Sequence, residues 1–420
     1  MHLQSDKGRL DRTGGDHVVL IRSGWLIDGS GETVRENAGI LIENGTIRKI
    51  LNDPPENDSF RRVVDWTAYT MLPGLVDGHV HLFMGGDTRR EIRDRQLAAG
   101  YDAACATISR NLENHLRYGV VAVRDGGDRN GFALRYKKEE MREESLPVHI
   151  RAAGWAWRQK GRYGRMIGRV PEDGQTLARA IRIVGAGCDH VKIVNSGLNS
   201  LLYFGKQTRP QFTSEELTAA VDISRRLGLK VMVHANGEVP VKMAVEVGCD
   251  SIEHGYFMGR DNLMRMADRQ IAWLPTLCPI KAHAEEMASG DPGFDVCRRT
   301  LDHQFDQLRM AREYGVRVIL GTDSGSVGVH HGRAVWEEIG LLVKGGYPIE
   351  SAFRCACQEG AALLGFVGKG IISIGEPATF IAAEGPPDRL LENVQPMKKV
   401  CINGGLIKTL ETTSDGRGQR

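Results

Sequence analysis

The chain has 420 residues, with 55 basic and 53 acidic side chains, so its formal net charge at pH 7 is only +2. This balance excludes the strongly basic surface of a nucleic-acid-binding protein or of a protein that binds anionic membranes. The eight cysteines form no Cys-x-x-Cys pair, the first residues lack the apolar stretch of a secretion signal, and no apolar run is long enough to span a membrane. We therefore expect a cytoplasmic protein with reduced thiols and no nucleic-acid or membrane partner.

Short β-strand patterns occur near both ends of the chain. Residues 1–16 resemble a loose tail, and from His17 to Tyr69 apolar stretches alternate with turn signals such as Asn44-Gly45. A similar pattern returns after Gly370, with turns at residues 375–377 and 403–405. These two segments can pair, which predicts a small β-sandwich domain built from residues 17–70 and 368–412.

Residues 71–367 repeat the order strand, loop, helix. The short apolar strand candidates are Leu72–Leu82, Val120–Arg124, Val148–Trp155, His190–Val194, Lys230–His234, Ser251–His254, Ile271–Leu277 and Val316–Thr322. Helical patterns between or after them include Gln175–Val184, Ser214–Leu227 with a capping pattern at Thr213, Val239–Val247, Asp261–Ala267, Val296–Tyr314 and Arg333–Val343. Eight strands alternating with helices predict an α/β fold, a (β/α)8 TIM barrel, whose active groups lie at the carboxyl ends of the strands.

Polar side chains at the ends of five predicted strands are candidate metal ligands. His79 and His81 stand two residues apart on one strand, so both imidazoles point to the same side. Lys192 interrupts an apolar strand, where a neutral amine can react with carbon dioxide and give a carbamate that bridges two metals. The other candidates are His234, His254 and Asp323. Imidazole and oxyanion ligands together suit zinc and similar divalent ions.

Each of these residues also has a structural interpretation when it is taken alone. A histidine at a strand end is often a hydrogen-bonded core residue, Lys192 can pair with an acid, and Asp323 can cap the next helix. Their common position at strand ends favours the metal site. Glu253 is interpreted as structural, because its neighbour His254 should face the opposite side of the strand.

Five segments resemble the ordered motifs of the amidohydrolase superfamily, and most closely those of its imidazolonepropionase-like and prolidase-like group with a bridging lysine. These segments are GLVDGHVHL, VKIVNSG, VHANG, SIEHG and LGTDSG. The resemblance covers nearly the whole chain. It implies two divalent metal ions, with zinc expected, and a protein that forms homo-oligomers. It also implies that His79, His81 and Asp323 hold the more buried ion, that His234 and His254 hold the more exposed one, and that carboxylated Lys192 bridges both.

The expected reaction is hydrolysis of a C–N bond in an amide or peptide-like small molecule, such as an N-acyl amino acid or a dipeptide. Two cations lower the pKa of a shared water, so that a bridging hydroxide forms near neutral pH. Asp323 is expected to accept the water proton and to return it to the leaving nitrogen. The exposed ion, whose ligand His254 is the second residue assigned to catalysis, polarises the substrate carbonyl.

Substrate contacts are expected in the loops that follow the strands. The candidates are Tyr203, Tyr256, His330, His331, Arg162 and Arg165. The two arginines belong to a basic loop after the third strand. This loop either binds a carboxylate group of the substrate or is a solvent-exposed loop without a role in binding. Related prolidases usually carry a Gly-Gly-His-Gly segment in this loop, and this chain does not, so that contact is not transferred.

Three other functions compete with amide hydrolysis. A mononuclear deaminase or cyclic-amide hydrolase on the same fold generally lacks the lysine of the fourth strand, so Lys192 counts against it. A lactone or ester hydrolase would use the same hydroxide. A metal-free scaffold protein should have lost ligands, and all six are present in this chain.

Overall fold

The computed structural model describes residues 18–55, 60, 62–141, 148–366, 370–392 and 394–407. The predicted tail and the predicted domain limits at residues 17, 367, 368 and 412 lie outside this part of the chain. The described strands are β1 Val18–Leu26, β2 Arg35–Glu43, β3 Thr46–Asn52, β4 Val63–Pro73, β5 Leu75–Val80, β6 Val120–Asp125, β7 His149–Ala152, β8 Ala156–Trp157, β9 Gly168–Arg169, β10 His190–Val194, β11 Lys230–Ala235, β12 Ser251–His254, β13 Ala272–Leu274, β14 Phe380–Glu384, β15 Lys399–Ile402 and β16 Gly405–Ile407.

The described helices lie mostly between the central strands. They are α1 Arg90–Ala98, α2 Tyr101–Arg117, α3 Phe132–Glu139, α4 Leu177–Val184, α5 Ser214–Arg226, α6 Glu238–Glu246, α7 Arg260–Asp268, α8 Cys278–Glu285, α9 Pro292–Tyr314, α10 Arg333–Lys344, α11 Ile349–Ala356 and α12 Gln358–Leu364. Within this part of the chain, no helix combines the length and the apolar character needed to cross a membrane.

The two terminal segments share one seven-stranded sheet, in the order β16-β15-β14-β4-β1-β2-β3. β14 pairs antiparallel with β4, and Ile381 lies opposite Leu72, so the predicted pairing of the two ends is confirmed. The predicted sandwich requires two facing sheets, whereas the described strands form a single one. The reason is that β4 pairs with β1 on one edge and with β14 on the other, which joins the two segments side by side.

The central strands are parallel and form two sheets. One sheet has the order β5-β6-β7, and the other has the order β13-β12-β11-β10-β8-β9. In place of the predicted last strand, Val316–Thr322, the structure has isolated bridges. Val318 pairs with Trp273 on β13, and Ser324, two residues beyond the predicted strand, pairs with Val80 on β5. This segment therefore connects the two sheets, and the α/β order of strands and helices is confirmed.

The third predicted strand, Val148–Trp155, is divided into β7 and β8. Gly154 stands between them with a φ of 73°, a conformation that ends an extended strand. The predicted strand Ile271–Leu277 is also shorter in the structure, because Thr276 adopts a φ of 46° after β13. Both interruptions lie at the carboxyl ends of strands, where the loops of the candidate site begin.

Helix α5 illustrates how the helices cover the parallel strands. Thr213 Oγ1 accepts a hydrogen bond from the Glu216 backbone N–H, and the Glu216 carboxylate accepts one from the Thr213 N–H, which confirms the predicted capping arrangement. Leu217 and Val221 lie on the buried face of the helix with 1% exposure each. Burial of each such side chain contributes about 1.5–3 kcal/mol, so this face fixes the helix against the sheet.

Candidate metal centre

Three potential metal ligands converge at the carboxyl end of β5. The Nε2 atoms of His79 and His81 lie 3.5 Å and 3.4 Å from Oδ1 of Asp323, and the potential ligand atoms of the three residues all lie within 4.8 Å of one another. The backbone packs tightly around them, since a Cβ atom added to Gly126 would lie 2.9 Å from Cε1 of His81. Two imidazoles and a carboxylate at this spacing form a donor set for a divalent cation.

Hydrogen bonds fix the orientation of the His79 and His81 rings. Nδ1 of His79 lies 2.8 Å from Oε2 of Glu253, and Nδ1 of His81 lies 2.9 Å from the carbonyl oxygen of Gly127. Both partners are acceptors, so Nδ1 carries the proton in each neutral ring and Nε2 presents its lone pair. Nε2 of His79 is buried and has no hydrogen-bond partner in the described chain, which fits a metal ligand.

His234 and His254 form a second imidazole pair beside the first. Their ring centroids are 4.5 Å apart, and the ring of His254 lies 5.1 Å from that of His79. Nδ1 of His254 lies 2.6 Å from Oγ1 of Thr276, and Nε2 of His234 lies 3.1 Å from the carbonyl oxygen of Gly197. These bonds leave one nitrogen of each ring for a cation.

Lys192 lies on β10 and is completely buried. Its Nζ atom has no hydrogen-bond partner within the described residues. Burial lowers the pKa of Lys192 to about 8, against the opposing charges of Glu253 and Asp323. An uncompensated buried ammonium is costly, so this amine fits conversion to a carbamate, whose oxygens would bind cations.

Electrostatic coupling joins Lys192 to the other five candidate ligands. Burial lowers the pKa of each of the four histidines, and the charge of Lys192 lowers these values further. Burial raises the pKa of Asp323 to about 7, while the charge of Lys192 opposes the shift. The six residues predicted as ligands therefore share one buried, electrostatically coupled region.

Two of the candidate ligands have unusual backbone conformations. His254 has a φ of 68° and Asp323 has a φ of 56°, in the left-handed region that residues other than glycine rarely adopt. Such strain often occurs at functional sites. At His254 the left-handed conformation ends the alternation of side chains between the two faces of β12. As a result, His254 and the preceding Glu253 both lie beside His79 in the centre.

Glu253 was expected to face away from the site, and this expectation is wrong. Its carboxylate is fully buried, lies against Nδ1 of His79, and accepts hydrogen bonds from Nη2 of Arg124 at 2.8 Å and from Oγ of Ser251 at 2.6 Å. Glu253 therefore orients a candidate metal ligand. The signal in the sequence was a charged residue near the carboxyl end of each of two predicted barrel strands, Arg124 in one and Glu253 in the other.

Two further side chains near the centre were missed in the sequence. The ring of Tyr163 lies 5.3 Å from that of His234, and its hydroxyl has no hydrogen-bond partner among the described residues. Burial raises the pKa of Tyr163, so the hydroxyl keeps its proton as a donor. The half-buried Arg93 donates from Nη1 to the carbonyl oxygen of Gly325 at 3.3 Å, and it lies close enough to Asp323 for their charges to interact.

Two of the predicted substrate residues use their polar atoms inside the protein. The buried hydroxyl of Tyr256 donates to the carbonyl oxygen of Thr276 at 2.8 Å. The buried ring of His331 lies 3.0 Å from Nε2 of His115 and 2.7 Å from the carbonyl oxygen of Met84. These bonds engage the polar atoms of both side chains within the protein, and substrate contacts by Tyr256 and His331 stay predictions.

The other predicted substrate residues lie at the surface. Tyr203 is 63% exposed, and His330 and Arg165 are also exposed. Arg162 is exposed and donates from Nη2 to the carbonyl oxygen of Arg209 at 2.8 Å, which ties its loop to the following one. Substrate contacts by these four residues stay predictions.

Comparison with known proteins identifies relatives of this chain with known activities. The chain is 26% identical over 345 residues to an imidazolonepropionase of Salinispora arenicola, covering 72% of this chain and 77% of the relative. It is 23% identical over 341 residues to an ochratoxinase of Aspergillus niger, covering 74% and 70%. A solved Xaa-Pro dipeptidase with methionine bound in its active site superimposes with a TM-score of 0.73 and 26% identity, covering 93% of this chain and 100% of the dipeptidase.

The similar structures have a fold of the TIM-barrel type, and the expected resemblance to imidazolonepropionases and prolidases is confirmed. The prediction of a hydrolase that acts on C–N bonds is also confirmed. The model of the amidohydrolase family matches residues 70–408, and the chain belongs to this family.

Proposed function

We propose that the protein hydrolyses an amide or peptide-like C–N bond in a small substrate that carries a carboxylate, such as an N-acyl amino acid or a dipeptide. The observation that carries this proposal is the buried, unpartnered amine of Lys192 in the same region as four histidines and Asp323. A dipeptidase among the similar structures supports the substrate class. We also infer that residues 316–324 complete a closed eight-stranded barrel, because they bridge β13 and β5.

The donor set fits two divalent ions, with zinc as the expected metal. His79, His81 and Asp323 would hold one ion, His234 and His254 would hold the other, and the carbamate of Lys192 would bridge them. When bound, such ions lower the pKa of water and polarise a substrate carbonyl. Within this donor set, Nε2 of His79 and Nζ of Lys192 are buried without a hydrogen-bond partner in the described chain, which supports this occupancy.

Asp323 is the proposed general base and then the general acid. Burial raises its pKa to about 7, which is the range in which a carboxyl group both accepts and releases protons efficiently near neutral pH. Oγ of Ser326 donates to Oδ2 at 3.0 Å, and this bond fixes the carboxylate while Oδ1 lies against the histidines. Asp323 thus takes a proton from the attacking water and gives it to the leaving nitrogen.

Tyr163 and Arg93 are the proposed substrate contacts. The ring of Tyr163 lies beside that of His234, and its free hydroxyl donates a hydrogen bond to the oxyanion that develops on the attacked carbonyl. Arg93 binds the substrate carboxylate, because its guanidinium has no carboxylate within 4.0 Å in the described chain and contacts only carbonyl oxygens. His254, held by Thr276, stays in its predicted role at the more exposed ion.

Elemental analysis combined with a substrate panel tests this function. The panel contains N-acyl amino acids, dipeptides, a lactone and an aminated heterocycle. About two metal ions per chain together with amine release from the amides support the proposal. A single ion with ammonia release from the heterocycle would support the deaminase instead, and turnover of the lactone alone would support an ester hydrolase.

A further inference from the structure

A cavity lies at the opposite end of the parallel strands from the metal centre. It has a volume of about 470 Å³ and lies at the amino-terminal ends of β11, β12 and β13, whereas His234 and His254 lie at the carboxyl ends of β11 and β12. Its charged lining residues are Arg225, Lys230, Arg269, Arg317 and Asp250. Four cations thus face one carboxylate, and none of these residues belongs to the proposed catalytic site.

Three of these cations have only uncharged partners. Nζ of Lys230 donates to the carbonyl oxygen of Leu363 at 2.7 Å, and Nη2 of Arg225 donates to that of Gly248 at 2.6 Å. Nη1 of Arg269 donates to the carbonyl oxygen of Glu246 at 2.9 Å. Within the described chain, no carboxylate oxygen lies within 4.0 Å of the charged nitrogens of these three residues.

The acidic groups near the cavity are already engaged. Oδ2 of Asp250 accepts a hydrogen bond from the Val231 N–H at 2.7 Å, and Glu359 pairs with Nε of Arg317 at 2.5 Å. Burial lowers the pKa of Lys230, and the charges of Arg317, Arg124 and Arg151 add to this effect while only Asp250 opposes it. The cavity therefore has an excess of positive charge.

Capping of helix ends explains only part of this arrangement. Arg269 contacts the last carbonyl groups of α6, a common role for a basic side chain at a helix end. That role does not require Lys230 and Arg317 to line the same concave surface. Each guanidinium also has five N–H groups, so the arginines keep donors for a further ligand.

We propose that this cavity binds a small multivalent oxyanion, with a phosphate group as the favoured ligand. Its volume lies in the range of sites for small molecules, about 300–1,000 Å³, which disfavours a macromolecular partner. The described lining contains no aromatic side chain on which a nucleobase would stack. Guanidinium groups match the geometry of phosphate oxygens, and a dianion would neutralise the excess charge.

Calorimetric titration tests this site. The metal-loaded protein is titrated with inorganic phosphate and separately with sulfate, and chloride holds the ionic strength constant. Lys230→Gln and Arg269→Gln should each weaken phosphate binding about tenfold, because each removes one charge-assisted hydrogen bond. Arg182→Gln, an exposed position on α4 outside the cavity, is the matched control and should bind like the parent protein. The thermal unfolding of each variant is recorded to verify that it is folded.

Hydrogen exchange locates the bound ion. Phosphate should slow the exchange of backbone amides in residues 248–250 and 269–271 of the parent protein, and this protection should be lost in both cavity variants. Similar binding of sulfate would support a general oxyanion site, whereas a preference for phosphate would support a site that is selective for the phosphate group. Binding that is absent, or that is unchanged in both cavity variants, would overturn the proposal.

Discussion

His79 and Glu253 form a buried pair in which Nδ1 of the imidazole lies 2.8 Å from Oε2 of the carboxylate. The two side chains are 1% and 0% exposed. The other carboxylate oxygen accepts a hydrogen bond from Nη2 of Arg124 on β6. Arg124, Glu253 and His79 are thus joined by consecutive hydrogen bonds that end at the candidate metal ligand. These bonds fix both the tautomer and the position of His79.

Glu253→Gln should weaken the affinity for the metal by about 10–100-fold, the usual effect of removing a group that orients a ligand. Glutamine keeps the volume but removes the charge that pairs with Arg124 and polarises His79. Competition with a chelator measures the effect. Glu338→Gln is the control, because Glu338 is equally buried and accepts hydrogen bonds from the N–H groups of Leu277 and Cys278 away from His79. Equal loss of metal in both variants would contradict the orienting role.

The candidate ligands could be proposed from the sequence because each lies in or directly after a predicted strand, and parallel strands in such a fold carry their active groups at one end. The role of Glu253 could not be predicted in this way. Alternation along a strand places neighbours on opposite faces, and it fails here because His254 leaves the extended conformation. The residue types around His254 do not predict that its backbone adopts a left-handed conformation.

The substrate loops were harder to predict for a related reason. Arg162, Tyr163 and Arg165 are neighbours in one loop, yet only Tyr163 contacts a candidate ligand. Which side chain of a loop faces inward depends on packing against residues distant in the sequence, so composition alone favoured the arginines. Contacts between residues distant in the sequence also decide the arrangement of the terminal strands. Their pairing was predicted, but they form a single sheet because β4 pairs with β14 on one edge and with β1 on the other.

Metal uptake by the metal-depleted protein should require bicarbonate and should become faster as the pH rises from about 7 to about 9. Lys192, whose pKa is lowered to about 8, is an unreactive ammonium below this value and a neutral amine above it. The histidines do not titrate in this range, because burial lowers the pKa of each below its ordinary value. The measurement is zinc content after incubation at each pH, with and without bicarbonate.

Lys192→Met is the control for this pH dependence. Methionine fills the buried space without an amine, so the variant should lose most of its bound metal and its turnover and should not respond to bicarbonate. Full metal content with normal turnover in Lys192→Met would refute the bridging role of Lys192. A parent protein that takes up metal equally well without carbon dioxide would refute the carbamate.

Tyr163→Phe should lower kcat by about 100-fold and leave KM nearly unchanged, because the lost donor acts on charge that develops in the transition state. Zinc content should stay the same, since the hydroxyl is not a ligand. Tyr256→Phe provides the comparison, because its hydroxyl bonds to Thr276 within the protein. In Tyr256→Phe the free energy of unfolding should fall by about 1 kcal/mol, and kcat should fall less than in Tyr163→Phe. A kcat loss that is greater in Tyr256→Phe would reverse the two assignments.

Arg93→Gln should lower kcat/KM about tenfold for a substrate that carries a carboxylate, since it removes a charge-assisted hydrogen bond, and should change kcat/KM little for the matching neutral amide. Steady-state rates on the two substrates measure this difference. Arg162→Gln is the matched variant, because its guanidinium is exposed and bonds to the carbonyl oxygen of Arg209. If Arg162→Gln shows the selective loss and Arg93→Gln does not, the carboxylate is bound by the basic loop after the third strand. A similar loss on both substrates in Arg93→Gln would mean that Arg93 supports the loop through Gly325 and does not bind the substrate.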